Sequence, residues 1–220
     1  MRVLVACEES QEVCKAFRAL GHEAYSCDIQ EPSGGHPEWH IQADARELIK
    51  MRWDLIIAHP PCTYLSASSA VRLFTPDHAI KDEARERKGW DAKAFFLEML
   101  QADCPHIAVE NPVPLRYYSL PRYSQIIEPY QFGDPWKKRT CLWLKGLPPL
   151  QATDIVEPKG LWVGSTSGRN KSTGRIKSAY TLKSNRDQRT RAKTFPGIAR
   201  AMAEQWGNNE RRVREGCTSG

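Results

Sequence analysis

Short apolar runs separated by amphipathic segments dominate the first two thirds of the chain. Residues 2–6, 23–27, 53–58, 106–109 and 140–144 form such runs, which are short and end at turn-forming residues, as buried strands do. Helical periodicity fills most of the intervals between them. The alternation of the two patterns predicts an α/β protein with a doubly wound, mostly parallel, Rossmann-like sheet.

The helical segments differ in length. Residues 76–102 form the longest of them, with Gly89 as a candidate break point. Shorter helices are predicted at residues 10–20, 45–51, 123–127 and 198–206.

One region departs from this alternation. Residues 148–185 are rich in Gly, Ser and Lys and show little core pattern, which predicts a loop-like insertion. The predicted organisation is a catalytic core at 1–147, a basic insertion at 148–185, a closing segment with a helix at 186–206, and a flexible tail at 207–220.

The composition is that of a globular protein, with 40% hydrophobic and 26% charged residues. No apolar run approaches the roughly 18 residues that cross a bilayer, and the opening residues lack a secretory pattern, so we expect a cytoplasmic protein without membrane contact. Seven cysteines are scattered without a C-x-x-C pair, which argues against a zinc site, and no metal is expected.

Positive charge is concentrated near the end of the chain. Between Lys159 and Arg200 there are eleven cations and one anion, whereas the preceding residues are mildly acidic. This distribution favours a polyanionic partner, nucleic acid first, over the alternative of a solvated basic loop. The residues expected to bind DNA are Lys171, Arg175, Lys177, Arg186 and Arg189.

Three polar clusters directly follow predicted strands. They are residues 7–10 (CEES), 59–62 (HPPC) and 110–112 (ENP), and Asp28 ends the second strand. Because ligands of open parallel sheets bind at the carboxyl ends of the strands, all of these residues are expected at one crevice.

Two of these residues are candidates for covalent chemistry. Cys62 follows two prolines on a stiff turn, where it is either a nucleophile or an inert turn residue. Glu110 follows an apolar strand, where it is either a proton donor with a raised pKa or a carboxylate that caps a loop. His59 is interpreted as a polar turn residue, with a catalytic base as the alternative.

Four strings in the chain resemble motifs of the DNA cytosine-5 methyltransferase family. DLIIAHPPCTYLSAS is similar to the catalytic-cysteine motif, and FFLEMLQADCPHIAVENPV to the helix–strand–Glu-Asn segment. QFGDPWKKRTCLWL resembles the later basic motif, and RAKTFPGIARAMAEQW the closing motif. The resemblance implies a methyltransferase sheet and a small, truncated member of the family, since only about 35 residues stand where a target-recognition domain would be.

The resemblance also implies roles for individual residues. Cys62 would attack cytosine carbon 6, Glu110 would hold ring nitrogen 3, and Lys138 and Arg139 would hold the cytosine or its phosphate. The methyl donor would be S-adenosylmethionine or a modified form of it. The residues expected to bind this cofactor are Cys7, Glu8, Ser10, Asp28, Asp44 and Pro60.

The chain departs from the family at its first turn, which is glycine-rich in the family and lacks glycine here. Asp28 and Asp44 could also be helix or turn caps. Two alternatives therefore stay open. One is a non-catalytic nucleic-acid-binding protein on a methyltransferase scaffold, and the other is an enzyme that methylates amino groups of adenine or cytosine, although Cys62 stands where such enzymes have an aromatic residue.

Overall fold

The computed structural model describes residues 1–162 and 191–207, in which nine strands and five α-helices are present. The strands are β1 (Arg2–Ala6), β2 (Glu23–Asp28), β3 (His40–Gln42), β4 (Leu55–Ala58), β5 (His106–Pro112), β6 (Gln125–Ile127), β7 (Trp136–Lys137), β8 (Thr140–Lys145) and β9 (Gly160–Leu161). The helices are α1 (Glu12–Ala19), α2 (Ala45–Leu48), α3 (Ala70–Leu73), α4 (Glu83–Leu100) and α5 (Pro196–Trp206).

Seven strands form the central sheet in the order β3-β2-β1-β4-β5-β8-β6. The pairs from β3 to β5 are all parallel, and β8 runs antiparallel to both of its neighbours. The predicted fold class is confirmed, because this is a mostly parallel Rossmann-like sheet with helices on both faces.

Alternate residues of the central strands feed two separate cores, as the pleat of a strand requires. On one face Val3, Val5 and Ile57 pack with the apolar sides of α1 and α5. On the other face Leu4 and Ile56 pack with α2 and α4. The sheet is therefore buried on both sides, and its strand ends are left as the exposed edges.

The segment at residues 123–127 was predicted as a helix, and this prediction is wrong. Residues Gln125–Ile127 form β6, which pairs antiparallel with β8 at the edge of the sheet. The Gln125 side chain bonds both the backbone carbonyl and the amide of Leu150, so a neighbouring extended segment holds it in place. Tertiary pairing of this kind overrides a short local pattern.

Two further differences concern element boundaries. Helix α4 is continuous through Gly89, so the candidate break does not occur. The short strand β3 was not predicted, because three residues are too few to show alternation.

The first part of the predicted insertion packs against the core. Leu150 is buried, and the Gln151 backbone exchanges two hydrogen bonds with the side chain of Gln205 on α5. Strands β7 and β9 then pair in a separate two-stranded sheet. None of the helices that the structure describes is long and apolar enough to cross a membrane.

Candidate active site

Cys62 lies on a turn that follows β4 and is tied to the segment after β5. The Cys62 carbonyl accepts hydrogen bonds from the amides of Leu65 and Ser66. Beyond this turn, the Ala67 amide donates to the Val113 carbonyl at 2.8 Å. Because β4 and β5 are adjacent parallel strands, this connection keeps the half-buried thiol beside the carboxyl end of β5.

Glu110 lies on β5, one strand away, and its partner is His59. The two ends of this pair are His59 Nδ1 and Glu110 Oε2, 3.3 Å apart, and only 10% and 16% of the respective side chains are exposed. The sequence analysis favoured a turn residue at position 59. Its proximity to Glu110 across 51 residues of sequence could not be read from local pattern.

The charge state of Glu110 is governed by opposing effects. Burial raises the pKa of the Glu110 carboxyl. The hydrogen bond from His59 and the positive charges of Lys138 and His59 lower it by a larger amount, so the net pKa is below the ordinary value. The sequence-based expectation of a raised pKa is thus wrong for the free protein. The pKa of Glu110 is lowered by Lys138 and His59, which are distant from it in the sequence.

The thiol of Cys62 is affected in the opposite direction. Burial raises its pKa, and the negative charge of Glu110 adds to this effect, whereas the charges of Lys138 and Arg191 oppose it. Cys62 therefore lies within electrostatic range of Glu110 and Lys138. In the free protein Cys62 is therefore a thiol near neutral pH.

Lys138 and Arg139 precede β8 and differ in their surroundings. The Lys138 ammonium donates to the Arg191 carbonyl at 3.0 Å and lies 5.8 Å from the ring centroid of Phe195. Arg139 is exposed, and its charge acts on Cys141. The structure brings Lys138 to Glu110, and among the described residues it shows no contact of Arg139 with Cys62 or Glu110.

A small pocket lies between the ends of β5 and β8 and the amino end of α5. Its walls include His59, Glu110, Lys138, Thr140, Thr194 and Phe195. Among the described residues that line this pocket, Cys62 is not included. Thr194 and Phe195 were not singled out from the sequence, although they belong to the string that resembles the closing motif.

The glycine-free turn between β1 and α1 has a backbone that glycine would ordinarily adopt. Cys7 and Gln11 both have φ of 60°, in the left-handed region. The buried Glu8 carboxylate accepts hydrogen bonds from the amides of Val13 (2.7 Å) and Cys14 (3.2 Å). The chain's own carboxylate therefore occupies the amino terminus of α1, where a bound anion could otherwise lie.

Glu8 is an acid in an unusual setting. Burial raises its pKa to about 7, although the charge of His59 and the two backbone donors act to lower it. Ser10 is buried beside this turn, and Pro60 is buried at the end of β4. Three of the residues predicted to bind the cofactor, Glu8, Ser10 and Pro60, are thus buried, whereas Cys7 is half-buried.

Asp28 and Asp44 lie near the ends of β2 and β3. Asp28 Oδ1 accepts from the Gln30 amide at 2.9 Å. Asp44 caps α2 by accepting from the Arg46 amide, and it pairs with the Arg46 side chain at 3.4 Å. Burial, followed by the charge of Asp28, raises the pKa of Cys7, which places its thiol beside this acidic pair.

The polar groups at this edge of the sheet suit the adenosine part of a cofactor better than its amino-acid part. Carboxylates at the ends of adjacent strands accept hydrogen bonds from ribose hydroxyls and from an adenine amine. The amides of α1 that would receive a carboxylate are already bonded to Glu8. Among the described residues, no group of His, Cys, Asp and Glu is arranged to hold a metal ion.

The five cations expected to bind DNA, Lys171, Arg175, Lys177, Arg186 and Arg189, lie outside the described residues. That expectation stays a prediction.

No family model and no curated protein matches the sequence. Solved structures that resemble the chain include one assigned as a DNA modification methyltransferase of an E. coli prophage (14% identity, TM-score 0.44, 75% of this chain and 58% of that one). EhMeth of Entamoeba histolytica (15%, 0.43, 71% and 57%) and Dnmt2 of S. pombe (16%, 0.38, 68% and 50%) are similar to a like extent.

The chain thus spans between 50% and 58% of the length of these three structures. Its sheet is of the Rossmann-like α/β type.

Proposed function

We propose that the protein is a DNA cytosine-5 methyltransferase in which Cys62 is the nucleophile. One observation carries this proposal: the Cys62 turn follows β4 and Glu110 lies on the adjacent parallel strand β5, close enough for the Glu110 charge to act on the thiol. A thiol and a carboxyl beside one another are the pair that covalent activation of a pyrimidine ring requires.

The reaction begins at the cytosine ring. Cys62 releases its proton to water, the thiolate adds to carbon 6, the ring electrons move toward carbon 5 and nitrogen 3, and nitrogen 3 takes up a proton from Glu110. Lys138 offsets the negative charge that Glu110 bears when it has given up its proton. Loss of the carbon 5 proton to water, return of the nitrogen 3 proton to Glu110 and departure of the thiolate then restore the aromatic ring.

S-adenosylmethionine, or a modified form of it, supplies an electrophilic methyl group to carbon 5 when it is bound. Asp28 and Asp44 would hold its adenosine part, and Cys7, Ser10 and Pro60 would line the same edge. Glu8 would support the turn from behind, because its carboxylate is occupied by α1.

The substrate class follows from charge. The cations between Lys159 and Arg200 suit a phosphate backbone, and a cytosine in duplex DNA would have to leave the stack to reach Cys62. A small, truncated recognition region is consistent with low sequence selectivity.

DNA that contains 5-fluorocytosine tests the nucleophile directly, because fluorine at carbon 5 cannot leave as a proton and the adduct persists. We expect a covalent complex with wild-type protein and methyl donor, and none with Cys62→Ser. Cys141→Ser is the matched control, since Cys141 is a buried thiol on β8. A complex that survives Cys62→Ser would show that another group attacks the ring.

Glu110→Gln belongs to the same experiment. Loss of a general acid typically costs about 10²–10⁴-fold in rate, so the complex should form at least a hundredfold more slowly, with DNA affinity retained. An unchanged rate would remove Glu110 from the mechanism.

A non-catalytic nucleic-acid-binding protein is the second candidate, and one observation favours it: Glu8 fills the amino terminus of α1. DNA binding without any adduct or methyl transfer would support this candidate. Methylated amino groups among the product nucleosides would instead identify an amino-methyltransferase.

A further inference from the structure

Among the described residues, only His59 forms a hydrogen bond with the Glu110 carboxyl. His59 directly follows β4, the strand that leads to Cys62. Their nitrogen and oxygen are 3.3 Å apart, and both side chains are nearly buried. The second ring nitrogen, Nε2, is also buried and has no hydrogen-bond partner among the described residues. A histidine that only shaped a turn would need neither feature.

Charged groups act on the His59 ring from two segments of the chain. Glu110 faces it from β5 and Glu8 from the turn after β1, since the charge of His59 lowers the pKa of both carboxyls. Lys138 acts on Glu110 from the segment before β8, and the Cys62 thiol lies within range of Glu110. The ring is therefore part of one electrostatic cluster with the reacting groups.

This cluster creates a difficulty for the proposed chemistry. Nitrogen 3 of cytosine must receive a proton, yet the pKa of the Glu110 carboxyl lies below its ordinary value. Near neutral pH Glu110 is a carboxylate and has no proton of its own to give. Histidine is the side chain that most readily exchanges a proton near neutral pH.

We propose that His59 is a positioning residue that holds Glu110 in place and passes to it the proton that reaches nitrogen 3. This inference rests on the proposed function and adds to it the source of the proton.

The step is balanced. As the sulfur–carbon 6 bond forms, the proton on His59 Nδ1 moves to Glu110 Oε2, and Glu110 passes this same proton to nitrogen 3. The negative charge of the thiolate and the positive charge of the imidazolium are both neutralised. When the thiolate leaves, the proton returns along the same path.

Exchange of the hydrogen at carbon 5 measures this step without any methyl donor. Once the adduct has formed, carbon 5 can take a proton from water and release its original hydrogen, so DNA with tritium at carbon 5 loses its label to solvent. The rate is measured across pH for wild-type protein, for His59→Asn, and for the matched control His106→Asn. His106 lies at the opposite end of β5, where its ring bonds the Asp54 carbonyl.

In His59→Asn the proton can come only from Glu110, which releases it at lower pH than an imidazolium does. We expect the break above which the rate falls to move to lower pH and the rate above neutral pH to fall at least about tenfold. His106→Asn should leave the profile unchanged.

Other results overturn the inference. If His59 acted only through its charge, its removal would raise the pKa of Glu110, and the break would move to higher pH with faster exchange. An unchanged break would show that the two groups are not coupled. Absence of exchange by wild-type protein at every pH would contradict the proposed function itself.

The wild-type profile tests the inference even if His59→Asn fails to fold. A break near about pH 6.5, in the range of an imidazole, supports the transfer from His59. A break near about pH 4, in the range of a carboxyl, excludes it.

Discussion

A carboxylate that has lost its water needs donors, and Glu8 finds them in the backbone of α1. The side chain is 4% exposed, and two amides of the helix bond its two oxygens. These donors do not fully offset burial, so the pKa is raised to about 7. Glu8 therefore supports the turn at a cost that depends on pH.

The sign of that dependence follows from proton binding. Between about pH 4.5 and 7 the folded protein retains a proton on Glu8 that the unfolded chain releases, so stability falls as pH rises through this window. The difference amounts to roughly 3 kcal/mol at its upper end. We expect Glu8→Gln to flatten the pH dependence of the free energy of unfolding, as measured with urea.

Glu12→Gln is the control for this measurement. Glu12 lies in the first turn of α1, and its carboxylate bonds Lys15 at the surface. An equally steep pH dependence in Glu8→Gln would mean that the raised pKa of Glu8 does not contribute to stability.

The residue scale also shows where sequence reasoning stops. Cys62 and Glu110 could be singled out as candidates because each follows an apolar run, and parallel strands end at one edge. His59 was assigned as a turn residue because its partner is 51 residues away. The lowered pKa of Glu110 depends on Lys138 and His59, whose approach only the folded sheet determines.

At the scale of elements, α4 shows a glycine used for close packing. Gly89 is buried in the middle of this helix, and a methyl group there would overlap the ring of Tyr118, which is 1% exposed. The sequence indicated a break at this position because glycine weakens isolated helices. Contact with Tyr118 explains why the helix continues.

Gly89→Ala should therefore destabilise the protein although alanine favours helices. Overpacking of a buried contact typically costs about 1–3 kcal/mol, which exceeds the gain of about 1 kcal/mol in helix propensity. Lys88→Ala is the control, one residue earlier on the exposed side of the same helix. Urea unfolding measures both, and a more stable Gly89→Ala variant would contradict the packing explanation.

Five strands could be predicted because their apolar runs are long enough to be distinctive. Strand β6 was misassigned as a helix, since its identity comes from pairing with β8 and from the Gln125–Leu150 bonds. Edge strands of this kind depend on neighbours more than on their own residues.

At the scale of the whole molecule, the concentrated positive charge and the candidate catalytic residues occupy different parts of the chain. The candidate catalytic residues lie in the acidic first part, and the cations are concentrated between Lys159 and Arg200. Such separation allows affinity for nucleic acid to change without a change in chemistry.

Replacement of Lys171, Arg175 and Lys177 by Gln tests this separation. If each cation neutralises one phosphate, the slope of log affinity against log salt should become shallower by about 2.7, and affinity should fall at every sequence. Replacement of the exposed cations Lys50, Arg52 and Lys88 changes the net charge equally and serves as the control. Equal losses in both variants would indicate a response to total charge alone.

The antiparallel direction of β8 affects the distance between the charged groups of the site. The amino end of β8 lies beside the carboxyl end of β5, where Thr140 pairs with Pro112. Lys138 lies two residues before Thr140 in the chain. The separation of the cation from Glu110 is thus set by backbone register. A slip of a single residue would turn every side chain of β8 to the other face, so the inter-strand hydrogen bonds define the electrostatics here more rigidly than any loop could.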